Sequence, residues 1–74
     1  MNYDLAMMAL EGLARAPLNI RADGASIVIE GEPASFKELA RLCLLLGGAT
    51  STAEEFALQP GVHVVGRAVV LKLV

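Results

Sequence analysis

Leu18-Asn19-Ile20-Arg21-Ala22-Asp23-Gly24-Ala25-Ser26-Ile27-Val28-Ile29-Glu30 is the stretch whose reading decides the fold. Over residues 18–22, Leu18, Ile20 and Ala22 fall on one face of a strand, and Asn19 and Arg21 on the other. Asp23-Gly24 is a strong hairpin signal, because glycine supplies the positive φ that a tight two-residue turn needs. A second strand over 25–30 sets Ile27 and Ile29 on one face and Val28 opposite, and it leaves through Gly31-Glu32-Pro33. The chain therefore contains an antiparallel hairpin, and the elements on either side must cover its apolar face.

Upstream, residues 4–16 read as a helix with Asp4 as its cap. Leu5, Met8, Ala9, Gly12 and Leu13 form its apolar stripe, Glu11 and Arg15 make a solvated pair, and Pro17 is the stop. Gly12 in that stripe costs about 1 kcal/mol against alanine, which close packing against another element would justify. Downstream, Ser35 and Glu38 have the spacing of a capping box. The helix they open carries Phe36, Leu39, Ala40, Cys43 and Leu46 inward and ends on a left-handed stop at Gly47-Gly48. Residues 42–46 are apolar all round, so this helix is expected to be covered on more than one side.

Residues 49–55 are ambiguous, since Ser51 and Glu54 suit a second capping box while Phe56 and Leu58 alternate as in a strand. After the Pro60-Gly61 turn come two extended segments, 62–65 and 68–74, joined near Gly66. In the last, Val69, Leu71 and Leu73 share one face and Ala68, Val70, Lys72 and Val74 the other. The order helix-β-β-helix-β-β-β in a single domain, 1–74, predicts an α+β fold: a small antiparallel sheet of four to five strands with two helices packed on one side.

Composition narrows function more by exclusion than by assertion. With 74 residues that are 55% hydrophobic, the chain has more apolar surface than a small domain can hide, and burial on folding reaches only about 60% at this size. A homodimer is the expected outlet, through Leu42 and Leu45, Met7 and Leu10, and the strand 68–74. The formal charge is −2, and the six Lys and Arg residues are scattered singly, so no nucleic-acid partner is expected. No apolar run approaches a membrane span and no cationic leader precedes one, which with a lone cysteine points to the cytoplasm.

Neither of the two chemistry-bearing singletons reads as catalytic. His63, the one histidine, sits among apolar residues with no nucleophile or carboxylate at a telling spacing. Cys43 on the inner stripe reads as a packed, inert thiol. There is no phosphate-binding glycine motif, and the carboxylates Glu30, Glu32, Glu54 and Glu55 read as solvated charge that could steer a protein contact. No catalytic, cofactor-binding or metal-ligating residue is assigned, and no cofactor is expected.

Residues 27–74 resemble the immunity protein 32 type, a family of small bacterial immunity proteins that accompany toxins. The likeness lies in Ile29-Glu30-Gly31 ending a strand, a capped helix containing Leu39-Ala40, a strand from Phe56 into Pro60, and a closing aliphatic strand. The N-terminal helix is an addition to that pattern. The resemblance implies a non-catalytic protein-binding module that neutralises a toxin domain by stoichiometric binding. A small homodimeric structural or regulatory protein is the alternative, and a small enzyme using His63 is a third.

Overall fold

The computed structural model describes residues 2–50 and 53–74. Its element order is α1 (Tyr3–Arg15), β1 (Leu18–Asp23), β2 (Ser26–Glu30), α2 (Pro33–Gly47), β3 (Glu55–Leu58), β4 (Val64–Gly66) and β5 (Val69–Lys72). The strands form two sheets, β2-β1-β4 and β3-β5. This corrects the expectation of one antiparallel sheet of four to five strands.

The split has a local cause. β1 pairs antiparallel with β2 but parallel with β4, Leu18 opposite Val64 and Ile20 opposite Gly66. Gly66 has φ +102°, a conformation that L side chains rarely adopt, and a Cβ there would collide with the carbonyl oxygen of Ile20. The chain thus turns out of the first sheet at Gly66. β5 pairs instead with β3, in the register Phe56 opposite Leu71 and Leu58 opposite Val69. The hairpin turn is Gly24-Ala25 rather than Asp23-Gly24, since Asp23 pairs with Ser26. With φ +59°, Gly24 occupies the first central position, where a type II′ turn needs glycine.

Both helices are rotated from the expected faces. α1 is capped by Asn2, whose Oδ1 accepts the Leu5 amide at 3.2 Å, so Asp4 lies in the first turn instead. Its buried stripe is Ala6, Ala9 and Leu13, while Leu5 and Met8 are exposed. Small alanines let the helix axis approach its neighbours closely, and Gly12 extends this, because a Cβ there would run into the Glu38 side chain of α2. α2 starts two residues before the expected capping box. Pro33 takes the first helical position, for which its fixed φ is suited, and Glu32 becomes the N-cap.

Ser35 therefore falls inside the helix, fully buried, with no hydrogen-bond partner for its Oγ among the described residues. Glu38 pairs with Arg41 rather than reaching back to Ser35. The inward stripe becomes Ser35, Leu39, Leu42 and Leu46, with Phe36 and Cys43 exposed. The helix ends without a left-handed residue, for Gly48 has φ −95°. Residue 51, one half of the second possible capping box, lies outside the described residues, and 55–58 are strand.

The core gathers Ala6, Ala9 and Leu13 from α1, Leu18 and Ile20 from β1, Leu42 and Leu46 from α2, Phe56 and Leu58 from β3, and Val64 from β4. β2 contributes no buried residue, and β5 contributes only half-buried ones. No helix among the described residues is long and apolar enough to cross a membrane. Gly66→Ala is expected to destabilise the fold by about 2 kcal/mol or more in denaturant unfolding, through positive φ combined with collision against backbone. Gly24→Ala meets open space and is expected to cost about 1 kcal/mol.

Candidate binding surface

The hairpin formed by β1 and β2 reaches past the core. In its register Ile20 faces Ile29 and Ala22 faces Ile27, so all four share the face on which Leu18 and Ile20 enter the core. The burial does not continue outward: Ile20 is 5% exposed, Ile29 43% and Ile27 63%. An apolar strip continuous with the core is therefore open to solvent at its outer end.

The opposite face of the hairpin carries Val28 opposite Arg21 within a cross-linked polar network. The Glu30 carboxylate accepts from Arg21 Nε at 3.0 Å and from Asn19 Nδ2 at 3.1 Å, and Arg21 lies 3.9 Å from Asp23. The Arg21 hydrogen bond and charge, with help from Asn19, hold the Glu30 carboxyl below its ordinary range. This network is exposed, so its role is to orient the ribbon more than to stabilise the fold.

A second concavity lies on the helical side. A groove of about 420 Å³ between α1 and α2 is lined by the apolar Leu5, Met8 and Ala9 and by Glu11, Arg15, Glu38 and Arg41. A contiguous hollow of about 300 Å³ adds Leu44 and Leu45. Two acids and two bases leave the groove without net charge, so it has no sign with which to select an ion. The position of Leu5 and Met8 here, rather than in the core, explains how α1 can bury alanines.

His63 pins a loop. Its Nδ1 accepts the Gln59 amide at 3.1 Å, which in the neutral ring places the proton on Nε2. The Gln59 carbonyl in turn accepts from the Val62, His63 and Val64 amides, and the His63 carbonyl accepts from Leu18. The imidazole thus shapes the entry into β4. Among the described residues no three His, Cys, Asp or Glu side chains are grouped so as to hold a metal ion.

Cys43 is exposed, which corrects its expected place on the inner stripe. The proposed dimer surfaces are redistributed too: Leu42 is fully buried, Leu10 and Leu45 pack against the core, and Met7 is exposed. What sequence reading missed was Tyr3, whose hydroxyl donates to Glu54 Oε1 at 2.9 Å and ties α1 to the start of β3. Only the folded chain reveals it, because no local spacing connects residues 3 and 54. That hydrogen bond, with the carboxylate charge, raises the Tyr3 pKa.

No protein-family profile, no curated protein and no solved structure matches the chain.

Two measurements check this surface. Cys43 in the native protein is expected to react with a thiol reagent at nearly the rate of a free cysteine, and Cys43→Ser to change stability by less than about 0.5 kcal/mol. Tyr3 is the only tyrosine, so tyrosinate absorbance reads it alone. Its raised pKa means that the contact stabilises the fold below the ordinary tyrosine range and that this contribution is lost as pH rises through the folded-state value. Glu54→Gln is expected to lower the Tyr3 midpoint.

Proposed function

We propose that this protein is a non-catalytic binding module that holds another protein against the apolar face of its β1–β2 hairpin. The observation that carries this reading is the strip Ala22, Ile27 and Ile29, which extends the core face of the sheet into solvent. Exposed apolar patches rimmed by polar residues are a mark of surfaces that contact other molecules. The network of Asn19, Arg21 and Glu30 behind the strip holds the ribbon in one shape, which reduces the ordering cost of association. His63 is engaged with backbone, which favours a structural role over a general base.

The likeness to immunity proteins supplies the partner class: a toxin domain, bound stoichiometrically with its active site covered. Ile29-Glu30-Gly31, one of the segments that carry the likeness, lies in this hairpin and its exit.

The test is capture of the tagged protein's partner from its own cells, purification of that partner, and titration against wild type and an Ile27→Lys/Ile29→Lys variant. Both side chains are exposed enough for the variant to fold, which amide spectra would check. The expected result is one-to-one saturation by wild type and binding weakened at least about a hundredfold in the variant, the loss of roughly 3 kcal/mol from a contact centre. Equal binding by the two proteins would remove the hairpin from the interface.

A further inference from the structure

We propose that two copies of this chain pair through the open edge of β5, antiparallel about a twofold axis at Leu71, to make a four-stranded sheet ordered β3-β5-β5-β3. This contact uses the second sheet and does not rest on the hairpin reading.

The phase of the β3–β5 ladder fixes which groups are on offer. The Leu73 amide donates to the Glu54 carbonyl at 3.3 Å, continuing the register in which Glu55 faces Lys72 and Phe56 faces Leu71. Backbone bonds alternate in an antiparallel pair, so Val69, Leu71 and Leu73 point their amides and carbonyls at β3. Val70 and Lys72 point theirs away, where no other strand among the described residues pairs with β5.

The side chains report the same vacancy. On β3, Phe56 and Leu58 are buried; directly across from them Leu71 and Val69 are only half-buried. The core face is thus incomplete on the side where a further strand would lie.

Symmetry and charge select a second copy and its register. In antiparallel pairing across a twofold axis, the apolar faces of both copies coincide only when the axis passes through a residue rather than between two. An axis at Lys72 would set lysine against lysine, which is destabilising. An axis at Val70 would carry the pairing into Arg67 and Gly66, where the chain is leaving the first sheet. At Leu71 the pairs are Leu71 with Leu71, Val69 with Leu73, and Val70 with Lys72. The outward amides and carbonyls of Val70 and Lys72 then exchange four hydrogen bonds across the axis. Lys72 is the single charge on the strand, it faces the chain's own Glu55, and no proline guards the edge.

Sedimentation equilibrium from about 1 μM to about 1 mM tests the contact. Wild type is expected to rise from 7.8 kDa toward twice that mass. Val70→Pro removes an amide that points away from β3, a position where a strand tolerates proline, and is expected to remain monomeric with a dispersed amide spectrum. Val70→Lys, which sets lysine opposite the second copy's Lys72, is expected to weaken association at least about tenfold, whereas Val70→Glu retains it. The proposal is overturned if wild type stays at the monomer mass throughout, or if Val70→Lys and Val70→Glu associate equally. The lysine and glutamate pair decides the question even if Val70→Pro does not fold.

Discussion

The parallel pairing of β1 with β4 is the constraint on which the other elements depend. It joins Leu18 and Ile20 to Val64 and Gly66, and the chain between them carries β2, α2 and β3. A parallel pair cannot be closed by a tight turn, so this intervening segment acts as the crossover and must pack where it passes. Leu18 shows the result: its amide donates to the His63 carbonyl, and its side chain lies where a Cβ on Gly31 would meet both it and Ser35. Backbone from three parts of the chain converges on one buried leucine.

This convergence explains residues that look misplaced. Ser35 is fully buried with no hydrogen-bond partner for its hydroxyl among the described residues, a cost of the order of 1–3 kcal/mol by usual measures, and a Cβ on Gly31 would press on both it and Leu18. Gly12 and Glu38 make a related trade at the helix seam, where absence of a side chain on α1 admits a carboxylate from α2. Small residues at these seams let the elements approach closely around the core leucines, while Leu5, Met8 and Leu44 lie outside it. Apolar surface remains at the hairpin tip, along the helical groove and at β5, and the two proposed contacts each use one of these places.

Local elements were legible because their causes are local. Alternation in 18–30 with glycine at the turn marks the hairpin, and Pro17 bounds α1 for steric reasons that need no tertiary context. The faces of β5 are equally plain, with Val69, Leu71 and Leu73 turned inward and Val70 and Lys72 outward. The helices were harder, since both contain apolar residues on more than one side and periodicity admits several stripes. Which stripe is buried depends on what approaches: α1 buries Ala6 and Ala9 with Leu13, and α2 buries Ser35 and Leu42 with Leu46.

By itself, then, the amino-acid order determined the element types and their succession, the hairpin, the two faces of the last strand, and the excess of apolar residues over what one small domain can cover. Tertiary structure alone decided that β4 joins β1 in parallel, that Gly66 diverts β5 into a second sheet, that Cys43 faces solvent and that Tyr3 reaches Glu54. The division has a physical basis. Turns, caps and periodicity act over a few residues, whereas strand partnership and helix rotation are settled by which distant backbones can approach one another without collision.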